Sequence, residues 1–365
     1  MARLGLGAFW CVRFANDLDP DKTAAYARAF GEADLHTGDV WSIETDDLPG
    51  HADLAWASFP CQDLSLAGAR AGLDAPRSGA FWGFWRLIEG LTREGRAPRL
   101  LVLENVAGLL TSRGGMDFSA LVTALAEAGY RFGALEIDAA HFVPQSRPRV
   151  FIVATKAAAP ASLCANGPSA PFQGEGVRAA YTRLEPKVAA QWVWWRLPAP
   201  PLRNTRLADL IEDAPSSCWH SAEKTLRLLD MMSTRQRSKV FAEQARAAPV
   251  VGALFRRVRV EDGVKRQRAE VRFDGIAGCL RTPAGGSSRQ TLLFVNGAHI
   301  RSRLMTAREG ARLMGLPDDY PLPSSQSQGL HLVGDGVAAP VVRWLSAHLL
   351  EPLARDAGTP RRRAR

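Results

Sequence analysis

The strongest constraint on the fold is a rhythm in the first 155 residues, where short β-rich runs alternate with stretches of helical periodicity. Residues 11–15, 54–59, 99–103, 134–137 and 150–154 read as strands bounded by Gly, Pro, Asp or Asn. Residues 21–30, 79–93 and 117–129 read as the helices between them. In the second helix Phe81, Phe84, Trp85, Ile88 and Leu91 recur at the spacing of one buried face, so its aromatics are expected in the core rather than on a cofactor. Strand–helix alternation predicts an α/β fold, a mostly parallel sheet with helices on both faces. Ligands of such sheets bind in the crevice at the carboxyl ends of the strands, and the chemistry is sought there.

The rhythm stops near residue 156, where 157–161 and 166–171 turn rich in Ala, Pro, Gly and Ser. Trp- and Pro-rich 192–201 follows, then helical stretches, and then 251–290 with nine Lys and Arg against four acids. A Gly/Ser turn is expected at 283–288, a helix at 306–314 stopped by Gly315 and Pro317, a last amphipathic helix at 339–353 and a frayed basic tail. Charge divides at the same place. Residues 1–150 carry 14 basic and 19 acidic residues, and the remainder carries 32 against 18, a net +14. An acidic first part and a basic second part imply two tasks, with a polyanion meeting the second.

Other classes are excluded by composition. A 46% hydrophobic chain fills a core and is not intrinsically disordered. No run approaches the ~18 apolar residues of a membrane span, and the apolar stretch 4–12 is too short and too Gly-broken for a signal peptide. The five cysteines (Cys11, Cys61, Cys164, Cys218, Cys279) are scattered with no CxxC pair. That argues against a disulfide framework or a zinc site and fits a reducing cytoplasm.

Three segments carry candidate chemistry. Pro60-Cys61-Gln62 follows directly on a strand, at the edge where the sheet meets its ligand, ahead of a loop (63–78) with Arg70 and Arg77. A lone Cys is ordinarily an inert core residue, but at that edge a thiolate would be a strong nucleophile. Glu104-Asn105-Val106 ends an apolar strand in a carboxylate. It either caps the next helix or, half-desolvated, holds a proton near neutral pH. In Gln145-Ser146-Arg147-Pro148-Arg149, the arginines alternate by two and share one face of an extended chain as guanidinium donors for a carbonyl or phosphate. Together the three suggest attack on an unsaturated heterocycle.

In this order and spacing, PCQ, ENV and QSRPR resemble the motifs of the bacterial-type DNA (cytosine-5) methyltransferase family. Residues 77–82 (RSGAFW), 308–317 (REGARLMGLP) and 334–337 (GDGV) are similar to further segments of that family, so about 200 of the 365 residues are covered. The poorly matching stretch, about 157–280, falls where the family keeps its target recognition domain. The resemblance implies a Rossmann-like S-adenosylmethionine-dependent methyltransferase sheet with a second, smaller target recognition domain. Residues 1–156 plus 330–355 would form the catalytic domain, 157–329 the recognition domain and return segment, and 356–365 a basic tail.

The resemblance further implies a cytosine flipped from the duplex. Cys61 would attack C6, Glu104 would protonate or hydrogen-bond N3, and Arg147 or Arg149 would hold O2. C5 would take the methyl group of S-adenosyl-L-methionine. For that cofactor it implies Asp17 on the ribose hydroxyls, Leu18 against adenine, Asp39 on the adenine amino group, and Val40 and Pro60 nearby. Without the resemblance, Asp17 and Asp39 read as ordinary turn residues.

The implied setting is a monomer in the cytoplasm, off the membrane, acting on double-stranded DNA, either solitary or beside a cognate restriction endonuclease. An RNA (tRNA) cytosine-5 methyltransferase and a non-catalytic DNA-binding remnant are the alternatives. Two departures stand out. The family opens with a strand and a glycine-rich turn some 15–20 residues before the acid matching Asp17, whereas Met1–Gly7 is similar to the helix after that turn. Either the start codon lies upstream or the gene is decayed, and the intact later residues favour the first. Asp335 stands where the family usually has Asn.

Overall fold

The computed structural model of the protein describes residues 1–59, 79–213, 218–246, 248–261, 263–282 and 289–356. Pro60, Cys61, the loop at 63–78, the turn at 283–288 and the basic tail beyond 356 lie outside the described residues.

Helix α1 (Ala2–Leu6) leads to β1 (Ala15–Asp17), α2 (Pro20–Phe30), β2 (Leu35–Thr37) and β3 (Leu54–Ser58). Then come α3 (Ala80–Arg93), β4 (Leu100–Val106), α4 (Met116–Glu127), β5 (Arg131–Asp138) and β6 (Pro148–Thr155). Strands β3, β4, β6 and β5 lie side by side in that order, and β1 pairs with β2 in a separate parallel pair. The continuous apolar run of β4 is explained by its two buried faces. Leu100 and Val102 join Phe151 and Val153 in one core, whereas Leu101 and Leu103 join Val150 and Ile152 in another. Phe81, Trp85 and Ile88 of α3 and Leu121 and Leu125 of α4 close the second core, so the α3 aromatics are packing residues as periodicity indicated.

The first core is closed by α9 (Ala307–Leu313) and by a long C-terminal helix, α11 (Ala339–Leu345) continuing through a π-helical turn into α12 (Glu351–Asp356). Gly5 lets α1 lie against α11, because a Cβ there would sit 2.5 Å from the Val342 Cβ.

Two expectations are corrected. The sheet is not mostly parallel: β3–β4 is parallel, but β6 runs antiparallel to both β4 and β5. The link from β5 to β6 spans only residues 139–147, too short for the crossover that a parallel pair needs. The first strand is also shifted, to Ala15–Asp17, because the pairing with β2 begins at Ala15↔Leu35.

Past residue 160 come β7 (Cys164–Ala165), α5 (Glu175–Thr182), α6 (Pro186–Ala189) and β8 (Trp194–Trp195), with β7 and β8 paired. Helices α7 (Ala222–Asp230) and α8 (Thr234–Gln244) precede β9 (Val250–Glu261), β10 (Val264–Arg272), β11 (Thr291–Asn296) and β12 (His299–Leu304). These four strands form an antiparallel sheet in the order β10-β9-β11-β12. Leu228, Met232 and Val240 pack on its Leu254, Val271 and Leu293 in a third, smaller core. Helix α10 (Gln326–Asp335) then leads back to α11.

Candidate active site

At the carboxyl end of β4, Glu104 is buried beside its register partners Ser58 of β3 and Phe151 of β6. Its Oε1 lies 3.2 Å from Nε of Arg149, at the start of β6, and both side chains keep a sliver of exposure (8% and 14%). Arg149 spends Nη1 on the Pro148 carbonyl at 2.9 Å. Among the described residues neither its Nη2 nor Glu104 Oε2 has a hydrogen-bond partner. Asn105, also buried, donates from Nδ2 to the Phe59 carbonyl at 3.4 Å and accepts from its neighbour Val106 N–H at 2.9 Å. Phe59, directly after β3 and two residues before Cys61 in the chain, is thus tied to the strand that carries Glu104.

The two arginines that alternation placed on one face have different neighbours. Arg147 is 2% exposed. Its Nη1 donates to the Leu280 carbonyl at 2.8 Å, and its Nη2 donates to Gly334 and Gly336 carbonyls at 2.8 and 2.6 Å. Cys279 Sγ stands 3.4 Å from Nη1. Burial, with the Arg149 charge adding to it, pushes the Arg147 guanidinium pKa down. Arg147 is therefore a clamp holding the chain around Cys279 and the turn after α10 against β6, and Arg149 is the arginine that meets Glu104.

Two residues that carried no expected role build this corner. Asp138 Oδ1 accepts the Arg147 N–H at 2.6 Å and Oδ2 accepts the Ser146 hydroxyl at 3.2 Å. Gln145, fully buried, donates to the Leu313 carbonyl at 2.8 Å and accepts the Leu280 N–H at 3.0 Å. A Gln beside two arginines is a sequence signal, but only the packing of α9 reveals what it binds.

A second cluster lies at the ends of β1 and β2. Asn16 donates to the His36 and Gly38 carbonyls at 3.2 and 2.8 Å, and the Gly38 N–H donates to the Asp17 carbonyl at 3.1 Å. Asp17 and Asp39 thereby sit on adjoining turns. Asp17 Oδ1 accepts the Asp19 N–H at 2.9 Å, and burial raises its pKa above the ordinary value. Asp39 Oδ1 accepts the Trp41 N–H at 3.0 Å. Both acids therefore make the local bonds of ordinary turn residues, each with one oxygen still open among the described residues. Leu18 is 67% exposed and Trp41 49%. Leu18 adjoins Asp17 and Trp41 lies two residues past Asp39 in the chain. Val40 is half-buried, its Cγ1 so near α3 that a Cβ on Gly83 would lie 2.7 Å away. Two carboxylate acceptors flanked by exposed apolar surface suit the hydroxyls, amino group and ring of an adenosine, so this end fits S-adenosyl-L-methionine. Asp335, at the end of α10, pairs with Lys22 at 2.7 Å and accepts from Thr282.

A model of the C-5 cytosine-specific DNA methylases matches residues 3–351. The chain belongs to that family. It is 25% identical over 341 residues to the type II methyltransferase M.MspI of Moraxella sp, covering 93% of this chain and 65% of that one. It is 24% identical over 347 residues to M1.ScrFI of Lactococcus lactis subsp. cremoris, covering 94% and 73%. The chain thus spans a little under two thirds of the M.MspI length. M2.BsuMI of Bacillus subtilis (strain 168) is 41% identical, over 113 residues and 31% of this chain. Among solved structures, Entamoeba histolytica methyltransferase EhMeth aligns with TM-score 0.59 at 12% identity, covering 95% of this chain and 90% of that one. S. pombe Dnmt2 methyltransferase aligns with TM-score 0.53 at 17% identity, covering 94% and 91%. These two establish the fold of the chain, that of a mixed α/β methyltransferase sheet with a separate antiparallel sheet. Methylases of this family generally use S-adenosylmethionine. Among the described residues no helix is long and apolar enough to cross a membrane.

Proposed function

We propose that this chain methylates C5 of a cytosine flipped out of duplex DNA, through a transient bond between Cys61 Sγ and C6 of the ring. The observation that carries the reading is the Glu104–Arg149 pair, half-open at the carboxyl edge of the sheet and tied through Asn105 to the strand that runs into Cys61. The Cys61 thiolate adds to C6. The displaced electron pair moves toward N3, where Glu104 delivers a proton through its open oxygen, and C5 becomes nucleophilic. Nη2 of Arg149, not committed elsewhere among the described residues, holds the O2 carbonyl. Arg147 acts on the reaction through position only, by its grip on the backbone. S-adenosyl-L-methionine, when bound, supplies an electrophilic methyl group. Asp17, Leu18, Asp39, Val40 and Pro60 would hold its adenosine end. Once C5 is methylated, its proton passes to solvent, the Cys61 thiolate is expelled from C6, and the N3 proton returns to Glu104, which restores the aromatic ring.

In this reading residues 1–156 with 330–355 do the chemistry and the basic segment 157–329 holds the DNA. The setting is that of a cytoplasmic monomer, alone or beside a restriction endonuclease. The test incubates the protein with duplex DNA and S-adenosylmethionine carrying a labelled methyl group, then digests to nucleosides. Label is expected in 5-methylcytosine alone, and Cys61→Ser is expected to abolish it. A Ser variant with wild-type turnover would overturn the mechanism, and equal labelling of RNA would overturn the substrate.

A further inference from the structure

The hairpin of β9 and β10 outruns the sheet it belongs to. Strand β11 pairs with β9 only from Val250 to Leu254, whereas β9 and β10 stay paired from Ala253↔Arg272 out to Glu261↔Val264. Beyond Leu254 a two-stranded ribbon therefore projects for about 20 Å at some 3.3 Å per residue. Register sorts its side chains into two faces. On one face stand Arg257, Arg259, Glu261, Arg266, Arg268 and Glu270. There Arg259 and Arg257 reach Glu270 at 2.5 and 3.9 Å, Arg268 pairs with Glu261, and Arg257 also lies over Phe255. The opposite face carries the cross-strand pairs Val258↔Gln267 and Val260↔Lys265.

This second face, which Ala269↔Arg256 continues toward the sheet, carries no acid. Val258 and Val260 are 62% and 68% exposed, an unusual commitment of β-branched apolar surface to water. Gln267 and Lys265 are exposed too, and neither has a hydrogen bond or ion pair among the described residues. Neither pair contains an acid. At the ribbon's base the same face is buried against α7 and α8 through Leu254, Ala269 and Val271, so its outer half is rigidly mounted.

We infer that this face of the ribbon lies on base edges in the DNA major groove, with Val258 and Val260 against pyrimidine 5-methyl groups and Gln267 on an adenine edge. The inference rests on the proposed action on duplex DNA and names the side chains that select its sequence. A two-stranded ribbon fits the major groove, about 12 Å wide. The chemistry of the face matches what that groove displays: valine suits the C5 methyl, and Gln donates to N7 and accepts from N6 of adenine. Because Val258 and Gln267 stand directly opposite, one pair of side chains spans the two halves of one A·T pair. The paired arginines of the other face raise the charge of the ribbon, which carries seven basic and three acidic residues over 255–272. They supply attraction to phosphate without reading sequence. An RNA duplex hides its major groove in a deep narrow cleft, so it does not fit this face.

A pyrimidine 5-methyl has two sources, thymine and an already methylated cytosine. Methylated positions in DNA treated with the wild-type protein define the site. Duplexes of that site are then assayed with each thymine replaced in turn by uracil, and each non-target cytosine by 5-methylcytosine. For wild type, removing the contacted methyl is expected to lower kcat/KM about four-fold per methyl. Loss on uracil identifies thymine as the source, and gain on 5-methylcytosine identifies a methylated strand. Val258→Ala with Val260→Ala is expected to erase that response, and Gln267→Ala to relax the choice of base pair. If these variants keep the wild-type site and the wild-type response to uracil and to 5-methylcytosine, the inference fails while the proposed function stands. Absence of any DNA methylation by the wild type would overturn both.

Discussion

Two glutamate–arginine pairs stand at strand ends in this molecule. Arg303 and Glu309, linking β12 to α9, are 0% and 1% exposed and joined in a fork at 2.5 and 2.9 Å. Both terminal nitrogens and both carboxylate oxygens are committed further: Arg303 also donates to the Leu304 and Glu212 carbonyls, and Glu309 accepts from the Thr306 and Glu212 backbone N–H groups, leaving only the buried Arg303 Nε without a partner among the described residues. Glu104 and Arg149 touch through single atoms at 3.2 Å, and among the described residues an oxygen and a nitrogen remain open. The same two side-chain types thus form a closed joint in one place and a half-finished hydrogen-bond set in the other. Unspent bonding capacity on side chains that keep some exposure, rather than ion pairing, marks the pair suited to chemistry.

The comparison breaks most visibly at Glu104. Glu104→Gln is expected to slow methyl transfer by about 10²–10⁴, the range for loss of a proton-transferring group, with little change in melting temperature. A large drop in melting temperature instead would make this pair a second structural joint.

The converse holds at α9. Glu309→Ala strands a buried guanidinium, and urea unfolding is expected to show a loss of about 3–5 kcal/mol. Arg303→Met combined with Glu309→Leu is expected to recover most of it, because replacing both partners by apolar groups removes the stranded charge. An unfolding curve unmoved by Glu309→Ala would place the closed and open pairs on the same footing.

The smallest effect sharpens the contrast at Asp17, a carboxylate that burial disfavours. Its raised pKa means the folded state binds its proton more readily than the unfolded state. Its contribution to stability is therefore full below the ordinary aspartate pKa and is lost as pH rises through the raised value. Relative to wild type, Asp17→Asn should gain melting temperature on going from acid to neutral pH. A difference that stays constant with pH would remove the burial cost from Asp17.

Much of this was legible in the chain. The apolar run of β4 and the aromatic face of α3 predicted elements and burial, because local periodicity reports directly on which faces meet water. The family was legible from PCQ, ENV and QSRPR. What failed did so for tertiary reasons. The antiparallel course of β6 depends on the nine-residue link before it, and the extent of β1 depends on where β2 pairs. Alternation set Arg147 and Arg149 on one face but could not separate them, since the difference lies in carbonyls up to 189 residues away.

By itself the sequence determined the alternating α/β framework, the placement of Glu104 and Arg149 at strand ends, and the basic character of the second part. Tertiary structure decided which arginine is spent on backbone, which carboxylate keeps a free oxygen, and which face of the β9–β10 ribbon stays uncommitted. The reason is physical. Periodicity and residue type act through neighbours along the chain, whereas the saturation of a hydrogen-bonding group depends on everything that packs against it.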